Sequence, residues 1–433
     1  MSPRSEPAGW GNSPWGSTPW GSVAGWGDGE WGDFPWGGTE GIAAYTPLTN
    51  YRLSLAERSD TGLGASIIDD VLALGFPTDN EMVGRWSRTL NAAGTFEFSL
   101  PIDACTPDVF APGQRELHLF RDDGAGEFIA WAGHLWIADV RAPWVRFMGM
   151  GFYEALRHRE MSEDFYKFSA EQRNIAWELI AYTQAQTGGG LGITRESSAG
   201  SAVQRTLAIC AEERQNIAEA IEDLAAADDG FDFEVGPDKV WRTWAPQRGT
   251  DLSDTVGLDG RTTITDLAYT IDATAVENDI AGIGEKGDCE PITFERAIDT
   301  DSRTLFGLMQ GTISRSDIKQ DDDLIAALTA QRLVLQRTPR KQPTVRMFQG
   351  LSGGPSPLTA DFDLGDVISV SASWGYATFA DRFRVMGYSV AFDRLGYETI
   401  DLTLDSVVSA GGSVSPPPGT TGFDSGFDER AFA

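Results

Sequence analysis

The chain has 433 residues, of which 41% are hydrophobic, and its formal net charge is -30 at pH 7. This length predicts two or three domains with ordinary packed cores. The negative charge argues against sequence-specific binding of nucleic acid, because DNA-binding proteins gain affinity by replacing counterions with Lys and Arg. It fits a surface that repels phosphates, and equally one that only keeps the protein soluble.

Signals for a membrane span, for secretion and for disulfides are missing from the sequence. No run of 18 apolar residues occurs, and residues 1–9 lack the apolar stretch of a signal peptide. Cys105, Cys210 and Cys289 are an odd number with no Cys-x-x-Cys spacing, which argues against a disulfide framework or a zinc knuckle. We expect folding in a reducing cytoplasm and no membrane span.

Residues 1–45 are a low-complexity arm in which tryptophan recurs every five or six residues, each time before glycine. Gly and Pro at this density oppose both helix and regular sheet. Disordered segments normally lack aromatic side chains, whose apolar area is costly to expose. We favour an extended strap that docks on a neighbouring chain over an unstructured tail. Its candidate partner-binding residues are Trp10, Trp15, Trp20, Trp26, Trp31 and Trp36.

Residues 46–165 predict a first β-barrel or sandwich domain. Its hairpins turn at Asn91–Thr95 and at the polar tip Arg121–Gly126, where turn-forming residues separate apolar runs. The predicted strands are Tyr51–Glu57, Val71–Phe76, Arg85–Leu90, Phe96–Leu100, Glu116–Phe120, Phe128–Val140 and Val145–Met150.

Residues 166–250 predict a helical and mixed α+β region. Ser169 followed by Gln172 is a capping-box signature, and it would open an amphipathic helix that stops before the glycines at 188–190. A second helix is predicted near Glu212–Ala226 from its apolar spacing. A hairpin over residues 231–244 follows.

Residues 251–405 predict a second β-barrel domain that contains one helix, near Asp321–Arg337. Residues 264–313 are expected to be rich in strands, and Val345–Leu404 forms the closing β section. Residues 406–433 are expected to be a flexible tail. The predicted fold class is thus mainly β with inserted helices (α+β), with two related β domains around a mixed middle region and extended low-complexity termini.

The two β domains share a pattern that suggests an internal repeat. Phe110–Gly113 and Phe362–Gly365 each precede a strand, a polar hairpin and a second strand that contains Gly133 or Gly387. The first glycine of each unit suits a turn with positive φ, and the second suggests a bulge or a close backbone approach. Coincidence is the alternative, since similar hairpins occur in many β proteins.

Residue types that carry chemistry do not fall into catalytic or metal-binding patterns. His118, His134 and His158 have no metal-ligand spacing and are expected to be surface or half-buried strand residues. No Gly-x-Ser-x-Gly occurs, and Ser352 has the wrong glycine spacing. The carboxylate clusters suit turns and helix starts. We expect no enzyme, no cofactor and no metal.

The order of parts resembles the tail-hub proteins of long-tailed phages, which share a fold with the baseplate hubs of contractile phages. The resemblance covers residues 46–405, and its local signatures are similar to minor tail proteins of phages that infect actinobacteria. These signatures are GTFEFSLP (94–101), FAPGQRELHLF (110–120), WAGHLWIADV (131–140), GFYEALRHRE (151–160), LGDVISVSASW (364–374), FRVMGYSVAF (383–392) and ETIDLTL (398–404).

The resemblance implies a homotrimeric ring in the virion tail tip that encloses the DNA exit channel. Its partners would be the distal tail protein, the tape-measure protein and tip proteins, at the place of host attachment and DNA ejection. Two other structural functions remain open: a receptor- or glycan-binding tail-tip protein, because Trp-rich surfaces stack on sugars, and a distal tail ring protein. A cell-wall hydrolase would need a carboxylate of raised pKa in a cleft, and the sequence points to none.

Overall fold

The structure is a computed structural model, and it describes residues 49–75, 83–197, 203–227, 229–285, 293–319, 322–348, 354–374 and 377–407. The tryptophan arm and the C-terminal tail from residue 408 lie outside the described residues. So do Cys289 and Ser352, whose interpretation as non-functional residues stays a prediction.

The described chain is mainly β with inserted helices, as the sequence predicts. The strands are β1 Asn50–Glu57, β2 Ser66–Ile68, β3 Gly84–Thr89, β4 Thr95–Pro101, β5 Arg115–Asp122, β6 Glu127–Arg141, β7 Trp144–Gly151, β8 Phe165–Glu171, β9 Thr194–Arg195, β10 Gln204–Ile209, β11 Asp232–Val235, β12 Val240–Trp244, β13 Gly257–Asp259, β14 Asp266–Asp272, β15 Asp279–Glu285, β16 Thr293–Ile298, β17 Gln310–Lys319, β18 Arg340–Phe348, β19 Val367–Trp374, β20 Ala377–Phe392 and β21 Glu398–Ser406. The helices are α1 Gln172–Ala185, α2 Ile217–Ala226, α3 Thr300–Phe306 and α4 Asp322–Gln336.

One large sheet contains two halves with the same strand order. The first half runs β3-β4-β7-β6-β5-β1, and the second runs β14-β18-β21-β20-β19-β13. Corresponding strands pair in the same way except at the last position, where β1 is antiparallel to β5 and β13 is parallel to β19. The predicted internal repeat is therefore confirmed as a repeat of topology. The order is an open path, so the described strands close no barrel.

Strand β20 joins the two halves. Its first part pairs with β19, and its last part, from Gly387, pairs with β3. The register against β21 shifts between Val385 and Gly387, and such a bulge turns a strand toward a new partner. The predicted irregularity at Gly387 is confirmed.

The other repeat glycines also take the predicted roles. Gly113 and Gly365 have φ of 76° and 88°, a region that side chains with a Cβ rarely adopt. A Cβ on Gly133 would lie 2.2 Å from the carbonyl oxygen of Met150. Gly133 thus allows β6 and β7 to approach closely.

Two hydrophobic cores hold the chain together. The first lies on one face of the large sheet and contains buried side chains of both halves, such as Trp86, Phe147 and Phe383. The second packs α1 and α2 on the β11–β12 hairpin and includes Leu324 and Ile325 of α4. Apolar burial at about 25 cal/mol per Å² makes these cores the main source of stability. The division into predicted domains stays a prediction.

Two small sheets complete the structure beside a two-stranded ladder of β8 and β10. β9, β12 and β11 form one, and β16, β15 and β17 the other. None of the helices in the described part of the chain is both long and apolar enough to cross a membrane.

The predicted strand over Val71–Phe76 is wrong for its described part. Val71–Leu74 is a 3-10 turn, and the Asp70 side chain accepts a hydrogen bond from the backbone N–H of Leu72. A short polar side chain that caps its own following turn competes with strand pairing. Phe76 lies outside the described residues.

The predicted capping box at Ser169 is also wrong. Ser169 lies in β8 with φ of 48°, and its hydroxyl donates to Gln204. Helix α1 starts later, at Gln172, where the Glu171 carboxylate accepts from the N–H groups of Arg173 and Asn174. A carboxylate at this position satisfies N–H groups that have no partner inside the helix.

Two further helix boundaries differ from the sequence prediction. Helix α2 begins at Ile217 rather than near Glu212, because Asn216 caps it through the N–H groups of Ala218 and Glu219. Helix α3 lies within the section predicted to be strand-rich, and the side chain of Asp299 caps it. Its seven residues are too few for apolar periodicity to reveal.

Candidate functional site: buried ion pairs between parts of the chain

The six tryptophans predicted to bind a partner lie outside the described residues, so their role stays a prediction. The described part instead contains charged side chains buried where different parts of the chain meet. Buried charges are rare unless they are paired. We call these clusters the three ion-pair joints. They are Glu116 with Lys239, Arg121 with Glu398, and Arg88 and Arg248 with Glu234 and Asp363.

The first joint is the ion pair between Glu116 on β5 and Lys239, the residue directly before β12. Lys239 Nζ lies 2.7 Å from Glu116 Oε1, and both side chains are completely buried. Lys239 also donates to the carbonyl oxygens of Ser59 and Gly62. The carboxylate accepts from the N–H groups of Ser59 and Gly64. The pair therefore holds the first β half, the loop after β1 and the β11–β12 hairpin together.

The pKa of Glu116 shows that its surroundings favour the charged carboxylate. Burial alone raises the pKa of Glu116, but hydrogen bonds from His118, Lys239 and the N–H of Ser59 outweigh burial and lower the pKa to about 2. Burial lowers the pKa of Lys239, and Glu116 opposes that shift. The surroundings of Glu116 thus favour its charged form, and the carboxylate in turn favours the charged form of Lys239.

His118 and His134 belong to the same cluster, and their predicted surface or half-buried position is wrong. Their residues are 5% and 2% exposed. His118 Nε2 lies 3.2 Å from Glu116 Oε2, and His134 Nε2 lies 4.0 Å from Oε1. Glu116 faces His134 across the β5–β6 ladder, so both imidazole rings lie beside a buried carboxylate. Burial lowers the pKa of His134 to about 4.

Removing His134 should reduce the loss of stability on acidification. The folded chain keeps the ring neutral down to its pKa of about 4, whereas the unfolded chain binds a proton near 6.5. Stability is therefore lost as pH falls through this window, by on the order of 2 kcal/mol at about pH 4.5. We expect His134→Leu to lose less free energy of unfolding than the unchanged protein when urea denaturation is compared at pH 7 and 4.5. His158→Gln, at an exposed histidine, is the control. Equal losses in His134→Leu and the unchanged protein would contradict this assignment.

The second joint connects the two halves of the large sheet. Arg121 on β5 forms two hydrogen bonds, of 2.8 and 3.0 Å, with the carboxylate of Glu398 on β21. The two side chains are 2% and 1% exposed. Tyr51 also donates to Glu398, over 2.5 Å, and Trp86 donates to Tyr51. Burial, and then the charge of Glu398, raise the pKa of Tyr51, which remains a donor.

The third joint is a closed ring of four charges. Arg88 on β3 and Arg248 both bind Glu234 on β11, at 2.7 and 2.5 Å. Both also bind Asp363, at 3.4 and 2.5 Å. Burial raises the pKa of Glu234, but the charges of Arg88 and Arg248 outweigh it and lower that pKa. The ring links both β halves to the middle region.

A neighbouring pair extends the third joint. Arg384 on β20 forms an ion pair with Asp232 on β11. Asn91 donates to the same carboxylate and accepts from the N–H of Phe233. The β11–β12 hairpin is thus attached to the sheet where β3 and β20 meet.

One carboxylate in a cleft has a raised pKa, the feature expected of a hydrolytic acid. Burial raises the pKa of Glu222 on α2, which lines a cleft of about 400 Å³. However, Arg157 donates to it over 2.6 Å, and Tyr153 donates over 3.3 Å. We assign Glu222 to the contact between α2 and the 3-10 turn Phe152–His158, since both donors come from that turn.

The three joints suit a structural role, in which parts of the chain are kept in fixed relative positions. Each spans at least two parts of the chain. In the first two joints, separation would leave a charge uncompensated away from water, whereas Asp363 in the third joint is 44% exposed. In the described ranges no group of three or more His, Cys, Asp or Glu is placed to hold a metal ion. The arrangement holds surfaces at fixed positions relative to one another.

Sequence reasoning missed all three joints. Glu116 and His118 alternate with Leu117 and Leu119, which predicts one solvated strand face. Lys239 follows Gly-Pro-Asp, which predicts an exposed turn. A signal for Lys239 exists only in the structure, where its φ of 58° marks a position that non-glycine residues rarely occupy.

The fold is that of solved tail proteins. The tail protein from Neisseria meningitidis MC58 matches with a TM-score of 0.53 and 14% identity, over 82% of this chain and 97% of that one. The 43 kDa tail protein of prophage MuSo2 from Shewanella oneidensis matches with a TM-score of 0.52 and 11% identity, over 82% and 98%. No protein-family model matches the sequence, and no curated protein is detectably similar to it.

Proposed function

We propose that the protein is a structural subunit of a bacteriophage tail. The observation that carries this proposal is the shared fold, which spans 97% and 98% of two solved tail proteins. Those proteins are matched nearly from end to end, so the likeness concerns a whole tail protein rather than one common module. Function does not follow from fold alone, and assembly into tails is therefore the property to be tested.

Within the tail, we place the protein in the tip hub as a homotrimeric ring. The duplicated strand order supports this position, because three copies would present six similar half-sheets around one axis. Such a ring matches a three-fold tip to a six-fold tube, with heterologous contacts that close around the axis. Its partners would be the distal tail protein, the tape-measure protein and tip proteins. The sequence resemblance to proteins of phages that infect actinobacteria makes that host group part of the proposal.

The charge of the chain suits a subunit that encloses the DNA exit channel. A net charge of -30 repels phosphates, so DNA would pass without being held. The three ion-pair joints would keep the channel wall rigid. The protein would act without catalysis, as part of the virion at the tip used for host attachment and DNA ejection.

The proposal assigns the tryptophan arm to a neighbouring tail protein. Aromatic side chains often dominate the energy of protein interfaces. Each docked tryptophan would contribute on the order of 2 kcal/mol from its buried area.

Light scattering on the full chain and on a chain without residues 1–45 tests this proposal. We expect both proteins to be trimers, because the ring contacts belong to the β halves. The full chain should then give three times its mass of 46.9 kDa, and the shortened chain three times its own smaller mass. We also expect only the full chain to join tails in an assembly assay. Normal incorporation of the shortened chain would contradict the role of the arm. Monomers that bind host cell-wall glycan would contradict the ring and favour an adhesin.

A further inference from the structure

A groove of about 550 Å³ crosses the face of the large sheet where its two halves meet. Its walls come from strands of both halves, among them β3, β7 and β18. Three arginines line it, Arg85, Arg146 and Arg346, together with Phe348. Two carboxylates, Glu97 and Asp401, line the same groove, so its lining carries one positive charge in excess in a chain of net charge -30.

The arginines are anchored but retain binding capacity. Their side chains are 53%, 45% and 47% exposed, and they share two carboxylates of the groove, Glu97 and Asp401. Arg146 binds the carboxylate of Glu97 through Nε and Nη2. Arg85 binds Asp401 through Nη2, and its Nε and Nη2 also donate to the hydroxyl of Ser389. Nη1 of each has no hydrogen-bond partner in the described ranges. A guanidinium held in this way is preorganised for a second carboxylate.

An apolar surface lies beside the arginines. Phe348 is 41% exposed although it is an aromatic residue on a paired strand. The groove therefore suits a ligand that carries carboxylates and aromatic rings at short spacing, since rings can pack on Phe348 and stack on guanidinium groups.

The C-terminal segment of this chain has that chemistry. Gly422-Phe423-Asp424 is repeated as Gly426-Phe427-Asp428, and Glu429 follows. These residues lie outside the described part, which ends at Val407. We propose that the segment 422–429 occupies the groove of its own chain, with its aspartates on the arginines and its phenylalanines beside Phe348.

The length of the connection permits this placement. Asp401 of the groove lies on β21, six residues before Val407, which corresponds to about 20 Å along the strand. The 14 residues between Val407 and Gly422 can span up to about 50 Å when extended. The connecting residues are therefore long enough for the segment to reach the groove of its own chain. A short tether gives a millimolar effective concentration, which favours this occupant over a second copy.

Photo-cross-linking of the full chain tests the proposal. Phe427 is replaced by p-benzoylphenylalanine, and the ¹⁵N-labelled and unlabelled forms of this protein are unfolded, mixed and refolded together before illumination, so that any oligomer contains both labels. We expect cross-links to peptides that contain Arg85, Arg346 or Phe348, within chains of one label. Cross-links between labels would overturn occupancy by the same chain, and cross-links spread over other surfaces would overturn the groove.

Two variants show whether charge holds the segment. Arg85→Gln with Arg346→Gln should lower the cross-link yield at the groove about tenfold, the effect of losing about 1.4 kcal/mol. Arg382→Gln is the matched control, because its side chain is 52% exposed and paired with Asp251. Asp424→Asn with Asp428→Asn should lower the yield similarly and changes none of the described residues. Unaltered yields in both double variants would overturn the proposal.

Discussion

Lys239→Met should lower the free energy of unfolding by about 3–5 kcal/mol, the cost of leaving one member of a buried ion pair alone. The substitution keeps most of the apolar stem of the side chain but removes the charge that faces Glu116, 2.7 Å away. It also removes the donor for the carbonyl oxygens of Ser59 and Gly62. Urea denaturation followed by circular dichroism at pH 7 measures the change.

Two further variants serve as controls for Lys239→Met. Arg242→Met lies in the same hairpin but removes a partly exposed pair with Asp238, and it should cost at most about 1 kcal/mol. Glu116→Leu combined with Lys239→Met should be more stable than Lys239→Met alone, since the double variant removes the carboxylate that Lys239→Met leaves without its partner. If Lys239→Met costs no more than Arg242→Met, the pair does not hold this joint.

Arg121→Met should destabilise the protein by a similar amount, about 3–5 kcal/mol, because Glu398 stays behind in a buried position. The substitution removes a contact between the two halves of the sheet, since Arg121 lies on β5 and Glu398 on β21. Chemical denaturation gives the total loss. Hydrogen exchange should become faster in β21, where the strand loses its anchor to the first half.

Arg52→Met is the matched control for Arg121. Arg52 forms an equally short pair with Glu127, but the two side chains are 34% and 42% exposed. Solvent already screens that pair, so its loss should cost at most about 1 kcal/mol. Equal losses for Arg121→Met and Arg52→Met would mean that burial does not strengthen the joint. Unchanged exchange in β21 would mean that Glu398 does not tie the halves together.

These expectations bear on the proposed ring. A subunit of a channel wall is loaded by its neighbours, so its two halves must move as one body. Hydrophobic burial resists separation but is not directional, whereas paired charges at fixed distances also define relative position. The β20–β3 ladder and the three joints provide such positioning.

Local patterns predicted much of the fold. The hairpins of β3–β4, β5–β6 and β11–β12 lie where apolar alternation and turn residues placed them, because both signals act over a few residues. Helix α4 was found from its apolar spacing. The repeat was visible because glycines with positive φ, Gly113 and Gly365, leave a trace in the sequence.

Predictions from local patterns were wrong where the position of a side chain depends on a distant partner or on a hydrogen bond to the neighbouring backbone. The turn at Val71–Leu74 forms because Asp70 caps it. The burial of His134 depends on Glu116, which lies on the neighbouring strand. Neither effect changes the hydrophobic pattern from which strands are predicted.

The sequence by itself determined the classes of secondary structure, the duplicated β pattern and the chemistry of the two termini, because these properties depend on neighbouring residues. Only the tertiary structure decided that one sheet joins both halves and that Glu116 meets Lys239 and Arg121 meets Glu398, 123 and 277 residues apart. The physical reason is that a charged residue can stay buried only beside a partner, and chain topology selects which of the many arginines, lysines and carboxylates that partner is.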